Sequence, residues 1–488
     1  MATVEVGEQR LLIGGEWRGA SSGATFEKRN PYSGEPAGSA AAATREDACA
    51  AADAAAQAFP DWSSTPVAER QALLDRAAEL LMERQGEIAR IVTDETGATF
   101  GWGMFNVELA AGMLHAAGAH AAAVHDEEIA SMIPGKKARA VRQPVGVVVG
   151  IAPWNAPVIL GARAVAAPLA LGNTVVLKAS EECPRTHGAI VSALEDAGLP
   201  AGVVNLIVHA PADAAEVVDE LIAHAAVRRV NFTGSTRVGR LVAENAARHL
   251  KRVLLELGGK APLVVLADAN LERAAAAASF GSFFHQGQIC MSTERIVVDS
   301  SVADSFASLL AERAEALSVG DPSEPSTQIG PMVSAAALKR VSELVEDATS
   351  KGAELVCGGR SDGPCFEPTV LRGVTPEMRI YGEESFGPVV SIVAVDGVDD
   401  AVRVANDTEY GLSSAVFSED VDAALEVARR LETGMCHVND TTVHDEPQMP
   451  FGGVKASGWG RFGGNAATEE FTELRWITVQ EEPREYPI

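Results

Sequence analysis

A thiol and a carboxylate are the side chains of this sequence best placed for covalent chemistry. Cys290 follows Gly287-Gln288, a loop signal, and Glu256 ends an apolar run earlier in the chain. A thiolate attacks carbonyl carbon, and a carboxylate among apolar neighbours has a raised pKa that suits a general base. A lone cysteine is more often a small buried hydrophobic residue, and Glu256 could be an ion-pair partner of the cations before it. Together they predict acyl chemistry through a covalent intermediate.

A third polar side chain, Asn155, lies at the end of a strand predicted over residues 145–151. An Asn just before a helix is usually its N-cap, which is the structural alternative here. Its amide N–H is also the kind of donor that stabilises a developing oxyanion, and one such donor contributes roughly 3–4 kcal/mol. Asn155 is therefore a candidate oxyanion donor for attack by the thiol.

Polar residues at the ends of two further strands indicate a dinucleotide. Lys178 and Glu181 close a predicted strand over 173–178, and such a pair can hydrogen-bond two ribose hydroxyls while the carboxylate repels a 2′-phosphate. Gly234-Ser235 opens a predicted helix, whose N-terminus suits a pyrophosphate. No well-formed GxGxxG motif is present, so the prediction of a dinucleotide rests on these features in combination. They predict NAD as the cofactor, with NADP possible.

Strands and helices alternate along most of the chain. Short β-branched runs predict strands over 145–151, 173–178, 203–208, 228–232 and 252–256, with helices over 157–171, 184–197, 213–224 and 236–249. Continuous apolar strands between helices predict a parallel sheet covered on both faces, as in Rossmann-like domains. A second series, starting with a strand over 261–266 and a helix over 271–284, predicts a second α/β domain reaching about residue 439.

The two ends of the chain have a different pattern. Helices are predicted over 48–59, 67–93 and 107–125, followed by a loop over 131–137. A strand over 471–479 has no nearby partner in the sequence. Because an unpaired strand edge is usually covered by another chain or an extended arm, this strand predicts an oligomer.

Size and charge restrict the class of protein. A length of 488 residues predicts two or three domains, and a formal net charge of −27 argues against nucleic acid and anionic lipid as partners. The six cysteines are scattered without metal-ligand spacing, so we expect reduced thiols and no metal. Residues 1–8 lack the apolar core of a signal peptide, and no apolar run reaches membrane-spanning length. A cytoplasmic protein is the expectation.

Six motifs resemble the NAD(P)-dependent aldehyde dehydrogenase superfamily, in the family's order and over essentially the whole chain. They are Pro153-Trp154-Asn155, Phe232-Thr233-Gly234-Ser235, Leu255-Glu256-Leu257-Gly258-Gly259-Lys260, Gly287-Gln288-Ile289-Cys290, Glu384-Ser385-Phe386-Gly387-Pro388 and Pro450-Phe451-Gly452-Gly453. The resemblance implies an α/β fold with three parts: a Rossmann-like dinucleotide-binding domain (1–121 and 143–256), an α/β catalytic domain (257–456) and a small β oligomerisation arm (122–142 and 457–488). A homodimer or homotetramer is also implied.

The resemblance assigns roles to individual residues. It implies Cys290 as nucleophile, Glu256 as general base and Asn155 as oxyanion donor. Lys178 and Glu181 would hold the adenosine ribose, Gly234 and Ser235 the pyrophosphate, and Glu384 and Phe386 the nicotinamide riboside. The full set of implied cofactor contacts is Ile151, Trp154, Lys178, Ser180, Glu181, Gly234, Ser235, Gly239, Leu257, Glu384 and Phe386.

Two positions depart from the family pattern. The loop His209-Ala210-Pro211-Ala212 stands where the family often has glycines, which leaves the adenine-side contacts open. Phe462 follows Arg461 where some members carry a second acidic residue, so Glu256 is the only candidate base.

An aromatic aldehyde is the predicted substrate. Trp102, Phe105 and Ile159 could form an apolar slot suited to a ring, with ordinary helix packing as the alternative. Arg163 could reach a phenolic or carboxylate group of the substrate, or form a surface ion pair instead. The remaining predicted pocket residues are Ile289, Met291 and Phe451. The stretch 442–455, and Trp154-Asn155-Ala156-Pro157 with Arg163, resemble the salicylaldehyde, vanillin and benzaldehyde dehydrogenase branch.

Three rival functions stay open. An aliphatic or semialdehyde dehydrogenase of the same superfamily would use the same catalytic residues. A cofactor-free thiol esterase would use Cys290, Glu256 and an oxyanion hole, but would not need the strand-end residues assigned to the nucleotide. A catalytically silent homologue would be expected to lack the thiol or the base, and both are present.

Overall fold

Two largely parallel sheets form the centre of the protein. The computed structural model describes residues 7–486, so most of the segment 1–8, in which no signal peptide is predicted, lies outside it. In spatial order, the strands of the eight-stranded sheet are Gly458–Trp459, Arg252–Glu256, Val227–Thr233, Val147–Ile151, Thr174–Lys178, Val204–Ile207, Leu11–Ile13 and Glu16–Arg18. The five strands from Arg252–Glu256 to Val204–Ile207 are parallel, and the outer strands are antiparallel. The predicted Rossmann-like sheet is present.

The strand order of this sheet reverses at one place. Val147–Ile151 lies between Thr174–Lys178, the next strand along the chain, and Val227–Thr233, the third strand after it. Ile151 pairs in register with Lys178 on one side and with Phe232 on the other, so three carboxyl ends are level. In open α/β sheets, ligands bind in the crevice outside the carboxyl ends at such a reversal.

The second sheet has seven strands, six of them parallel. In spatial order they are Glu354–Cys357, Thr369–Arg372, Val389–Val395, Thr293–Asp299, Ala261–Val265, Ser413–Phe417 and Met435–Val438. Ala261–Val265 is buried along its whole length, as expected for a strand with helices on both faces. Thr293–Asp299 begins three residues after Cys290, so this sheet supports the thiol.

Helices cover both sheets, and most lie close to their predicted positions. The α-helices are Arg45–Ser64, Val67–Glu83, Gln85–Thr96, Phe100–Ala122, Pro157–Ala170, Pro184–Asp196, Ala214–Ala223, Thr236–Arg248, Leu271–Phe283, Ala303–Glu315, Ala335–Ser350, Arg379–Gly382, Val398–Asn406, Val421–Ala428 and Gly464–Phe471. Short 3₁₀ turns are Pro211–Asp213, Phe284–Gly287 and Lys455–Ser457.

Two helix predictions need correction. The single helix predicted over 67–93 is two helices that break at Arg84, which has a non-helical ψ of 7° and whose guanidinium donates to Asp196 at 2.7 Å. Both halves keep apolar residues on the buried side, so the pattern alone gives no sign of the break. The helix predicted from Val107 begins at Phe100, because the Thr99 hydroxyl caps the backbone N–H of Trp102.

The C-terminal strand has a partner within its own chain. Thr472–Gln480 pairs antiparallel with Lys136–Pro144, which pairs in turn with Glu127–Ala130. The loop predicted over 131–137 therefore ends two residues too late, and the C-terminal strand does not depend on another chain for all its pairing. Its other edge has no neighbour in this three-stranded sheet of the described chain, and Trp476 is 76% exposed.

Smaller sheets complete the described chain. They are Glu8–Gln9 with Pro36–Ala41 and Thr25–Arg29, and Ser361–Asp362 with Cys365–Phe366. Among residues 7–486, every helix is too short or too polar to cross a lipid bilayer.

Candidate active site

Cys290 lies in a tight turn between the helix Leu271–Phe283 and the strand Thr293–Asp299 of the seven-stranded sheet. The 3₁₀ turn Phe284–Gly287 precedes it, and the N–H of Ser292 donates to the carbonyl of Ile289 at 2.9 Å. The thiol is partly exposed, unlike the buried Cys183, Cys357 and Cys365. A partly exposed thiol at the rim of a sheet is open to a small molecule.

The turn before the thiol is held in a strained conformation. His285 and Gln286 have positive φ angles of 50° and 56°, a region that residues with a side chain seldom adopt. The His285 ring stacks on the Trp102 indole with 4.6 Å between centroids, and the Gln286 amide donates to the carbonyl of Pro331 at 3.1 Å. A Cβ on Gly287 would lie 2.2 Å from a backbone oxygen, so this position needs glycine. These contacts fix the direction of the thiol.

Glu256 ends the strand Arg252–Glu256 and is 1% exposed. Neither of its carboxylate oxygens has a hydrogen-bond partner among the described residues. Glycines follow it because space is limited: a Cβ on Gly259 would lie 2.2 Å from the carbonyl oxygen of Cys290. The strand end and the thiol turn therefore pack directly against each other.

Burial controls the protonation of both groups. Burial raises the pKa of Glu256 from 4.5 to about 7, with Cys290 and Arg163 opposing the shift and Asp445 adding to it. Burial, and then the negative charge of Glu256, raise the pKa of the Cys290 thiol well above its usual value. The thiol is therefore neutral near pH 7, and the carboxylate beside it is balanced between its acid and base forms.

Asn155 is buried and directed toward the thiol turn. Its amide nitrogen donates to the carbonyl of Gln288 at 3.0 Å. A primary amide has two N–H groups, so the second one stays available to an oxyanion at Cys290. The N-cap alternative does not apply, because the residue before the helix Pro157–Ala170 is Ala156 and no side chain caps it.

All seven residues predicted for the substrate pocket line one cavity of about 540 Å³. Its walls are mostly apolar and aromatic, and Asn155 and Cys290 are also part of them. The aromatic side chains contact one another: Trp102 meets Phe284 edge to face at 4.9 Å, and Phe280 stacks on Phe284 at 4.6 Å. This lining is typical of a site for a small apolar molecule.

Arg163 is one of two charged groups in the wall of this cavity. Its guanidinium pairs with Asp445 at 2.5 Å, with both side chains at least 91% buried, and lies 4.1 Å from the ring centroid of Phe451. Arg163 does form an ion pair, as the structural alternative predicts, but the pair is buried and does not lie at the surface. One carboxylate oxygen of Asp445 has no hydrogen-bond partner among the described residues.

A second cavity, of about 880 Å³, lies where the strand order of the eight-stranded sheet reverses. Five of the predicted cofactor residues line it: Trp154, Gly234, Ser235, Glu384 and Phe386. Glu256, Asn155 and Cys290 line it as well, and the last two also line the first cavity. The two cavities thus meet at the thiol and the amide.

Three predicted cofactor residues lie at the end of the neighbouring strand. Lys178 ends Thr174–Lys178, and its ammonium lies 3.5 Å from the carboxylate of Glu181. Burial, the largest single influence, would raise the pKa of Glu181, but the charge of Lys178, a backbone hydrogen bond and the charge of His209 together lower it. The backbone N–H of Ser180 donates to His187 at 3.1 Å. An ionised carboxylate beside a buried lysine therefore lies next to the strand reversal.

Neither these three residues nor the last three predicted cofactor residues, Ile151, Gly239 and Leu257, line the second cavity. Ile151 is buried at the end of its strand. Gly239, in the first turn of Thr236–Arg248, packs against Leu257, whose Cδ2 would lie 2.4 Å from a Cβ at that position. Ile151, Gly239 and Leu257 are buried, so they belong to the packed interior next to the strand ends.

Comparison with known proteins decides the family. The aldehyde dehydrogenase family model matches residues 17–477. The chain is 57% identical to a vanillin dehydrogenase of Pseudomonas fluorescens, over 98% of this chain and 99% of the relative. The chain belongs to the aldehyde dehydrogenase family. The predicted fold, superfamily and enzyme class are therefore confirmed.

Solved structures of aldehyde dehydrogenases agree closely with this one. A salicylaldehyde dehydrogenase from Pseudomonas putida G7, crystallised with salicylaldehyde, is 44% identical with a TM-score of 0.97, covering 99% of this chain and 100% of that one. A betaine aldehyde dehydrogenase from Staphylococcus aureus, crystallised with NAD⁺, is 34% identical with a TM-score of 0.95, covering 98% and 96%.

Several residues at this aldehyde dehydrogenase's site were missed from the sequence. Phe280, Phe284 and Asp445 line the first cavity, and Arg340 lines the second cavity. Phe280 lies in the helix before the thiol and Phe284 directly follows that helix, four residues later, a spacing that could have indicated them. Asp445 lies far from Arg163 in sequence, and no local pattern connects them. Phe462 is buried.

Proposed function

We propose that this aldehyde dehydrogenase oxidises aromatic aldehydes of the vanillin, salicylaldehyde and benzaldehyde type to carboxylic acids, with NAD⁺ as oxidant. The main support is one observation: the thiol and amide form a polar corner of a cavity whose other walls are mostly aromatic and aliphatic. Burying an aromatic ring there removes apolar surface from water, at about 25 cal/mol per Å². A polar or very short aldehyde gains much less.

The second cavity suits a dinucleotide. Gly234 and Ser235 precede the helix Thr236–Arg248, whose N-terminal N–H groups favour a pyrophosphate. Lys178 and Glu181 would hold the adenosine ribose, and Glu384 and Phe386 the nicotinamide riboside. The Trp154 and Phe386 rings meet edge to face at 5.8 Å in the lining of this cavity, to which Cys290 also belongs. When bound, the nicotinamide accepts a hydride.

The first half-reaction acylates the thiol. As the proton of Cys290 leaves to solvent, the sulfur adds to the aldehyde carbon and the carbonyl oxygen becomes negative. The free amide N–H of Asn155 and a backbone N–H near Cys290 stabilise that oxygen. Collapse of the tetrahedral centre re-forms the C=O bond as hydride leaves, and the acyl group remains on sulfur as a thioester.

The second half-reaction hydrolyses the thioester. Glu256 takes a proton from water, the oxygen attacks the acyl carbon, and the tetrahedral centre is again stabilised by Asn155. The C–S bond then breaks and releases the acid, and the proton held by Glu256 passes to the sulfur, which regenerates the thiol and the free carboxylate. Because Glu256 is buried with unpartnered oxygens, it can approach a water molecule without first losing another hydrogen bond.

The proposal is tested by comparing kcat/KM for vanillin, salicylaldehyde and benzaldehyde with that for acetaldehyde, propionaldehyde and succinic semialdehyde. NADH formation is followed at 340 nm with saturating NAD⁺. We expect the best aromatic substrate to exceed the best aliphatic one by about 100-fold, because a buried ring contributes roughly 2–3 kcal/mol. Similar values for both groups, or higher aliphatic ones, would contradict the aromatic proposal and favour the semialdehyde alternative.

The preference for NAD⁺ is predicted to depend on Glu181. Glu181→Gln removes the negative charge that repels a 2′-phosphate and keeps the side-chain shape. We expect the ratio of kcat/KM for NAD⁺ to that for NADP⁺ to fall about tenfold, mainly through a lower KM for NADP⁺. Glu182→Gln, at the neighbouring position, is the matched control and should leave the ratio unchanged. An unchanged ratio in Glu181→Gln would show that other groups select the cofactor.

Assembly and location belong to the proposal as well. Leu474, Trp476 and Val479 are exposed on the C-terminal strand at the open edge of its sheet, and a second copy covering them would form a homodimer or homotetramer. The cysteines are all free in the structure, which suits a reducing cytoplasm. Catabolism of aromatic compounds is the role that such an activity would serve.

A further inference from the structure

The buried ion pair between Lys260 and Glu294 has no role in the chemistry described above. The ammonium of Lys260 lies 2.7 Å from a carboxylate oxygen of Glu294, and the two side chains are 0% and 3% exposed. A buried ion pair loses much of its attraction to desolvation and is weak support for stability by itself. What else the pair holds therefore decides its role.

Glu294 also binds the segment that carries the predicted nicotinamide contacts. Its carboxylate accepts the backbone N–H of Ser385 at 2.8 Å and that of Phe386 at 3.0 Å. Phe386 has a positive φ of 50°, a strained conformation that needs such support. The Glu294 carboxylate therefore holds in place the backbone segment that carries the Glu384 and Phe386 side chains.

Lys260 connects this segment to the catalytic strand end. It closes the run Glu256-Leu257-Gly258-Gly259-Lys260, and the N–H of Gly259 donates to the carboxylate of Glu384 at 2.8 Å. Glu294 itself stands four residues after Cys290, in the strand Thr293–Asp299. One buried pair thus ties together the base, the thiol and the segment 384–386.

We propose that the Lys260–Glu294 ion pair is a positioning device that sets the nicotinamide-side segment 384–386 at a fixed distance from the thiol. The inference rests on the proposed function, because it takes Glu384 and Phe386 as nicotinamide riboside contacts. Hydride transfer needs the acceptor carbon close to the tetrahedral centre, and a misplacement of 1 Å can cost about 10²-fold in rate. Acylation of the thiol by an activated ester needs no such acceptor.

Glu294→Gln separates the two requirements. The amide keeps the shape of the side chain but removes the charge that holds Lys260 and weakens the bonds to the two backbone N–H groups. We expect kcat for aldehyde oxidation to fall about 10- to 100-fold, and a primary isotope effect with deuterated aldehyde to appear or increase because hydride transfer becomes limiting. The Kd for NAD⁺, measured by quenching of tryptophan fluorescence, should rise about tenfold. The burst of p-nitrophenolate from p-nitrophenyl acetate, without cofactor, should stay within about twofold of the wild type.

Asp47→Asn is the matched control. Asp47 is also a buried carboxylate, 1% exposed, and it accepts the backbone N–H groups of Ser21 and Thr44 near the start of a helix remote from the thiol. Its loss should lower the melting temperature and leave the isotope effect and the Kd for NAD⁺ unchanged. If Glu294→Gln does not fold, the double variant Lys260→Met/Glu294→Gln removes both charges and is measured instead.

The outcomes are distinct. If either Glu294 variant keeps the isotope effect, kcat and Kd of the wild type, the pair is only structural and the proposal is overturned. An ester burst that falls as far as aldehyde oxidation also overturns it, because the thiol itself would then be displaced. Failure of the proposed function has another signature, namely a wild-type enzyme that reduces no NAD⁺ with any aldehyde.

Discussion

Replacing Cys290 by alanine is expected to abolish aldehyde oxidation, with a fall in kcat of about 10⁴-fold or more. Without sulfur there is no atom to add to the aldehyde carbon, so neither hydride release nor the thioester can follow. NAD⁺ should still bind with a Kd close to that of the wild type, because the cofactor cavity has many other walls. Steady-state NADH formation and fluorescence quenching measure the two effects separately.

The control for this variant is Cys436→Ala. Cys436 is likewise a free and partly exposed cysteine, in the strand Met435–Val438, and does not line either cavity. Its removal should leave kcat within about twofold of the wild type. Turnover that survives in Cys290→Ala, or an acyl adduct that mass spectrometry finds on another residue, would refute the covalent mechanism.

Replacing Glu256 by glutamine is expected to separate the two half-reactions. Acylation and hydride transfer should still produce a burst of about one NADH per site, whereas steady-state turnover should fall by about 10²- to 10⁴-fold because no base activates water. Mass spectrometry of the quenched enzyme should find the acyl group on Cys290. A variant with neither a burst nor an adduct would mean that Glu256 is already needed to take the thiol proton.

Glu95→Gln is the matched control for this variant. Burial raises the pKa of Glu95 to about 7 as well, and its carboxylate accepts the N–H groups of Arg185 and Thr186 at the start of a helix instead of facing the thiol. With saturating NAD⁺ it should keep a normal steady state. A loss of turnover equal to that of Glu256→Gln would show that any buried charge, rather than a specific base, is required.

The pH profile provides a further measurement on the same variant. Because the pKa of Glu256 is about 7, wild-type kcat should rise with pH through 7 and fall about tenfold per unit well below it, as the base becomes protonated. Glu256→Gln should lose this dependence. Since folding raises this pKa above 4.5, ionisation destabilises the fold increasingly from pH 4.5 to 7, so the variant should gain melting temperature over the wild type at pH 8 but not at pH 4.

Local sequence patterns predicted a helix or strand well where the residues of that element alone determine its bounds. The strand Arg252–Glu256 has its predicted bounds because an apolar run ends at a charged residue. Lys136–Pro144 was missed because its sequence, Lys-Lys-Ala-Arg-Ala-Val-Arg-Gln-Pro, has no apolar alternation and is stabilised by a strand more than 300 residues later. The domain boundaries remain a prediction, and Gly458–Trp459 pairs with the cofactor-side sheet.

The site was predictable to the extent that its residues follow strand ends. Glu256 and Asn155 lie at carboxyl ends of strands in the eight-stranded sheet, whereas Cys290 precedes the strand Thr293–Asp299, and all three line one cavity. Contacts between distant segments were not predictable. Asp445 is 282 residues from Arg163, and Glu294 is 91 from Ser385, so only the folded chain brings them together. Their roles remain predictions until the variants are measured.

The two cavities share only Asn155 and Cys290 in their linings. Substitutions in the lining of the first cavity can therefore change which aldehydes bind without changing the residues that line the nucleotide cavity. An enzyme built in this way can acquire new carbon sources by small steps, each of which keeps the redox half of the reaction intact. Aldehyde specificity and nucleotide binding can therefore be changed separately, by natural mutation or by design.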